Sequence, residues 1–159
     1  MSMPGHFVKH ATFVIERTYE ASPARVFHAF ADPVAKARWF GGPAEWGSRE
    51  ATMDFRVGGR EISRGGPQGG PIHSFEARYQ DIVQDRRIIY SYDLHLDDRR
   101  ISVSLATVEL APAGTGTKLT FTEQAAFLDG YDDAGSRERG TRDLLEALAA
   151  ALRLERGEA

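Results

Sequence analysis

Residues 12–43 read TFVIERTYEASPARVFHAFADPVAKARWFGGP, and this stretch decides the fold. Thr12–Glu20 alternates, with Phe13, Ile15 and Tyr19 on one face and Glu16 and Thr18 on the other. Period two in β-branched and aromatic residues describes a half-buried strand. Ser22-Pro23 follows, an N-cap with proline at the first helical position. Val26, Phe27 and Phe30 then fall at helical spacing, so the sequence predicts a short helix over Pro23–Ala31. Asp32-Pro33 repeats the start signal and predicts a second short helix over Ala35–Phe40, stopped by Gly41-Gly42-Pro43. One strand followed by two tandem capped helices restricts the topology sharply.

The chain downstream is β for about 75 residues, on the alternation rule. Arg49–Arg56 and Arg60–Arg64 flank the turn Val57-Gly58-Gly59. His73–Ile82 places Phe75, Ala77 and Tyr79 on one side, and Arg87–Leu96 does the same with Ile88, Tyr90, Tyr92 and Leu94. Arg100–Leu110 and Thr117–Phe127 complete an antiparallel meander. Ser136–Glu155 then carries Thr141, Leu144, Leu145, Leu148 and Leu152 on one stripe, an amphipathic helix. Gly140 in its first turns either allows close approach to the sheet or is a tolerated defect costing about 1 kcal/mol against alanine. The repeated Gly-Gly-Pro strings at 65–67 and 69–71 read either as a flap beside a pocket entrance or as a hairpin tip. The expected class is α+β. A single long helix cannot cover a wide curved antiparallel sheet, so a cavity is expected between them, closed at one end by the short helices.

Length and composition agree. The chain of 159 residues has 20 basic and 23 acidic side chains, a net charge of −3 and no cysteine. That length suits one domain, expected over 12–155 behind a flexible N-terminal stretch, 1–11. The mildly acidic balance argues against a nucleic-acid partner. Without cysteine there are no disulfides, thiolate metal sites or cysteine nucleophiles. No apolar run approaches the ~20 residues of a membrane span, and Met1–His10 lacks a signal-peptide pattern, so a cytoplasmic protein without a membrane partner is expected.

Several motifs in order resemble one family. Pro23-Ala24-Arg25-Val26-Phe27, Asp32-Pro33 and Arg38-Trp39-Phe40-Gly41-Gly42-Pro43 are similar to the opening of START-like proteins. The nearest subgroup is the activator of Hsp90 ATPase homologue type, grouped with polyketide cyclases. The resemblance continues at Asp54-Phe55-Arg56-Val57-Gly58-Gly59, at Tyr79-Gln80-Asp81-Ile82 with Arg87-Ile88-Ile89-Tyr90, at Gly116-Thr117-Lys118-Leu119-Thr120, and at Gly140 with the terminal leucines. It covers about Phe13 to Leu152 and departs at Thr141, where many members carry tryptophan. The resemblance implies a helix-grip fold, a curved antiparallel sheet wrapped around a long C-terminal helix, with a homodimer as one assembly it allows.

The candidate binding residues are aromatic first: Trp39, Phe40, Trp46, Phe55, Phe75, Tyr79, Tyr90, Tyr92 and Phe121. Each alone could be plain core, but buried phenols need hydroxyl partners and ligand pockets are mostly apolar and aromatic. Ser102 and Ser104 share a face with Ala106, Val108 and Leu110, where small side chains make room. Glu123 is in register with Leu119 and Phe121 and points inward; an ion pair, with Arg17 for example, is favoured over general acid–base work. Asp54 and Arg56 read as architectural. Among the histidines only His73 shares the inner face, at the cavity mouth, while His95 should face solvent. No metal-ligand spacing, phosphate-cradling glycine motif or cofactor signature is present, and no catalytic residue is assigned. The expected function is binding of a small hydrophobic or aromatic ligand. A cyclase- or hydrolase-like enzyme in the same cavity and a chaperone-ATPase activator are the alternatives.

Overall fold

The first strand is longer than its alternating pattern. In the computed structural model, which describes residues 5–41 and 50–155, β1 spans Val8–Tyr19. Its first residues pair with the end of β7 (Gly116–Leu128), Val8 opposite Leu128. The stretch expected to be flexible is thus strand from residue 8. Backbone ladder bonds need no apolar side chain, so exposed Lys9 and His10 join a strand without betraying it by pattern. Asp129 closes this end: its carboxylate accepts from the Phe7 N–H at 2.8 Å, and its own N–H donates to the Phe7 carbonyl at 2.8 Å.

Helix α1 (Pro23–Ala31) starts where Ser22 Oγ accepts from the Arg25 N–H, and α2 (Pro33–Ala37) where Asp32 Oδ2 accepts from the Ala35 N–H. These are ordinary side-chain N-caps. Helix α2 begins and ends earlier than the sequence suggested, because Pro33 takes the first helical position. Arg38, Trp39 and Phe40 continue as a turn bonded back to Ala35 and Lys36.

The strands β2 (Glu50–Met53), β3 (Arg60–Gly65), β4 (His73–Val83), β5 (Arg87–Leu96) and β6 (Arg99–Ala113) form, with β7 and β1, a seven-stranded antiparallel sheet among the described residues. Its order is β1-β7-β6-β5-β4-β3-β2, a meander closed by the first strand. Register shifts at Tyr79/Asp81 and Leu94/His95 bend it. Helix α3 (Ala134–Glu155) lies across the inner face, burying Leu145, Leu148 and Leu152 against Ile15, Val26, Ile88, Val108 and Leu119. The Tyr19 hydroxyl donates to the Leu145 carbonyl at 3.0 Å, tying α3 to the sheet, and Arg25 donates to the Leu152 carbonyl at 2.9 Å, tying α3 to α1. This is the expected α+β helix-grip architecture. No helix among the described residues is long and apolar enough to cross a membrane.

The turn before β3 holds the sheet's far edge to its centre. Gly58, at φ +84°, donates to the Tyr79 carbonyl at 2.8 Å, and the Gly59 carbonyl accepts from Tyr79 at 3.0 Å. Asp54 and Arg56, both just ahead of the turn, pair at 2.8 Å in an exposed contact that contributes little to stability. A Cβ at Gly59 would stand 2.0 Å from the Asp54 carbonyl oxygen. Gly59→Ala is therefore expected to cost about 1–3 kcal/mol through forced backbone movement, read as a lower urea midpoint at unchanged slope.

Candidate functional site

A cavity of about 910 Å³ opens between α3, α2 and the inner face of the sheet. It exists because the two surfaces stop matching toward the N-terminal end of α3. Leucines fill the C-terminal half, but Gly140 and Thr141 line the cavity in the other half. A Cβ at Gly140 would meet no atom within 4 Å, so this glycine does not serve close approach to the sheet.

Eight expected site residues line the cavity: Trp39, Phe40, His73, Phe75, Tyr90, Tyr92, Phe121 and Glu123. Their rings run in edge contacts from Trp39 to Phe40 (5.7 Å between centroids) and on to Phe75 (5.0 Å), and then in a tilted contact from Phe75 to Tyr92 (4.9 Å). The Trp39 indole N–H donates to the Ala29 carbonyl at 2.9 Å, which fixes the ring as a wall. Three others stand behind the wall. Phe55 packs between Phe27 and Tyr79, Tyr79 turns its hydroxyl to Glu61, and Ser104 turns its own to Glu123. Trp46 lies outside the described residues. The β3–β4 connection is a hairpin tip with a Gly70-to-Pro67 turn bond, and Gly65 and His73 at its base line the cavity.

Glu123 is fully buried and paired, but its partner is Arg137 rather than Arg17. Register explains the correction: Glu123 faces Phe13 on β1, while Arg17 faces Leu119, about 13 Å along the strand at 3.3 Å per residue. Arg17 instead reaches Glu146 at 3.1 Å. Arg137 donates to Glu123 Oε2 and to the Tyr92 hydroxyl, each at 3.1 Å, and to Ser102 at 2.6 Å and Asp132 at 2.9 Å. Tyr92 donates to Glu123 at 2.7 Å. Burial and then the Glu123 charge push the Tyr92 phenol pKa up against the opposing pull of Arg137, so it stays a donor. With its oxygens held by these partners, Glu123 is engaged as structure.

A second charged centre went unread in the sequence. Lys36 of α2 is 5% exposed and donates to Glu61 Oε1 at 2.6 Å, and the same oxygen accepts from the Tyr79 hydroxyl. The ammonium lies 4.4 Å from the Phe40 ring centre, 5.9 Å from Tyr90 and 6.0 Å from Phe75. Burial pulls the Lys36 pKa below its ordinary value, with Glu61 opposing. The inward aim of Glu61 was legible in hindsight. It pairs across the ladder with Ala77 and alternates with Ser63, which pairs with Phe75.

Tyr90 is different from its neighbours. It is 7% exposed and lines the cavity, and its hydroxyl makes no hydrogen bond among the described residues. Burial first, then Tyr92 and the Glu123 and Glu61 carboxylates, raise its pKa and keep it protonated. His95, expected in solvent, is half-buried, and its Nδ1 is buried without a partner among the described residues. The pairing with β6 skips Ile101 at this point, while the pairing with β4 runs through His95 unbroken. No three His, Asp or Glu side chains among the described residues are placed to hold a metal ion.

Comparison with known proteins adds lineage to this geometry. The family model for Activator of Hsp90 ATPase homolog 1-like protein matches residues 20–153. A solved protein of Rhizobium loti is 54% identical, covering 91% of this chain and 99% of its own, with a TM-score of 0.85. One from Rhizobium leguminosarum is 44% identical over 93% and 97%, with a TM-score of 0.89. A Chromobacterium violaceum protein is 28% identical over 87% and 94%, with a TM-score of 0.72. No curated protein matches the chain.

Proposed function

The chain belongs to the activator of Hsp90 ATPase homolog 1-like family, and from that premise we propose that it binds a small apolar or aromatic ligand between sheet and α3. The observation that carries this reading is the ring-lined cavity of about 910 Å³, within the size range of small-molecule sites. Binding energy comes from burying apolar ligand surface at roughly 25 cal/mol per Å², less the cost of immobilising the ligand. Rings held by edge contacts and the Trp39 indole bond lose little freedom when a ligand enters. The cyclase-like alternative gains nothing from Glu123, whose carboxylate is held by Arg137, Tyr92 and Ser104.

Native mass spectrometry of freshly purified protein tests the reading, with a retained organic mass expected. A Trp46→Phe variant leaves Trp39 as the sole indole, and saturable quenching on titration with an extracted ligand is the expected second signal. Gly140→Leu should weaken that quenching by intruding on the cavity while raising helix stability by about 0.5–1 kcal/mol. A chain that retains no ligand and quenches with none would overturn the reading.

A further inference from the structure

The polar groups around the cavity differ in what they leave unused. Arg137, Glu123, Tyr92 and the Trp39 indole are all committed to protein partners. Lys36 and Tyr90 are not. The Lys36 ammonium has three N–H donors and gives one to Glu61; its other neighbours are the faces of Phe40, Phe75 and Tyr90. The Tyr90 hydroxyl, on a residue that lines the cavity, is held by no hydrogen bond among the described residues, and it is not a fully buried atom without a partner. That hydroxyl and the spare Lys36 N–H groups remain available to an acceptor carried by a ligand in the cavity. Both groups line the same cavity: the Lys36 ammonium lies 5.9 Å from the Tyr90 ring centre, and the Phe75 ring is 6.0 Å from the ammonium and 6.2 Å from the Tyr90 ring.

Charge decides what kind of acceptor fits. Lys36 is already neutralised by Glu61 at 2.6 Å, and Arg137 by Glu123 at 3.1 Å and Asp132 at 2.9 Å. A carboxylate ligand would therefore bring an uncompensated negative charge into a buried site beside two carboxylates, which costs several kcal/mol. A cationic ligand would meet the Lys36 ammonium and offer no acceptor. An uncharged oxygen with free lone pairs meets neither penalty.

We propose that Lys36 and Tyr90 form a subsite for an uncharged carbonyl oxygen carried on an aromatic ligand. The proposal rests on the cavity reading above and specifies its polar end. The ring system lies along Phe40, Phe75 and Tyr92, and its carbonyl accepts from the Tyr90 hydroxyl and a spare Lys36 N–H. No covalent step is involved.

Three probes of similar ring content test it by isothermal titration calorimetry: benzophenone, diphenylmethane and diphenylacetate. Benzophenone should bind about five- to tenfold more tightly than diphenylmethane, the worth of one to two net hydrogen bonds, and more tightly than diphenylacetate. Tyr90→Phe should erase most of the benzophenone advantage and leave diphenylmethane affinity unchanged. The infrared carbonyl stretch of bound benzophenone in the wild-type protein should shift to lower frequency than in hexane, a readout that needs no variant. Equal affinity for ketone and hydrocarbon, tightest binding of the carboxylate, or an unshifted carbonyl band overturns the subsite and leaves the cavity reading standing. Binding of none of the three overturns both.

Discussion

Arg137→Met should destabilise the fold by about 3–5 kcal/mol, measured by urea unfolding near neutral pH. The size follows from what the guanidinium leaves behind. Glu123 has no solvent exposure and would keep only Tyr92 and Ser104 as donors, while Ser102 and Asp132 would lose a charged partner. Breaking one side of a buried pair strands the other charge, which is far worse than never having had the pair. Arg137→Met with Glu123→Leu should therefore recover much of the loss, though Tyr92 would lack its acceptor. A single-variant loss below 1 kcal/mol would show that α3 is seated by its leucines alone.

Strong alkaline destabilisation is the second large effect expected. Tyr19, Tyr79, Tyr90 and Tyr92 all have phenol pKa values raised above the ordinary value of 10.0, each chiefly by burial. The folded chain keeps these four protons after the unfolded chain has begun to release them. Stability is thus intact below pH 10 and falls as pH rises beyond it, by about 1.4 kcal/mol per unit for each phenol, or about 5 for the four together. Lys36 works the other way over a narrower window. Its folded pKa is lowered from 10.5, so rising pH relieves a penalty until the unfolded ammonium has also titrated near 10.5. The net curve should bend gently just above pH 10 and steepen after 10.5. Urea midpoints across that range check it, and Tyr90→Phe should shallow the final slope by about a quarter, the share of one phenol in four. A flat curve to pH 11 would contradict the buried, protonated state of these phenols.

What could be read from the sequence was whatever is local or periodic. Ser22-Pro23 and Asp32-Pro33 marked two helix starts because a cap and a proline act within four residues. Strand β5 matched its expected limits, since tyrosines and isoleucines alternate cleanly along it. Alternation also showed that Glu123 points inward. It could not name the partner, because Arg137 sits in a charged first turn that looks solvent-facing until the helix is laid on the sheet. Lys36 and Glu61 were missed for a similar reason: they are 25 residues apart on different elements, and each looks like ordinary surface charge in its own segment. The half-burial of His95 beside the point where β6 carries an extra residue has no local signature, and the start of β1 was missed because its polar residues join the ladder through their backbone.

The position of the first strand beside the last also sets a timetable for synthesis. Tyr19 finds its ladder partner only in Thr117, so β1 leaves the ribosome long before anything exists for it to pair with. At 5–20 residues per second the wait is on the order of 5–20 s. Throughout it Phe13 and Ile15, both buried in the finished fold, are displayed on a strand with two open edges. The nascent chain is most prone to wrong pairing in that interval, and the alternating Glu16 and Thr18 on its other face act as its guard.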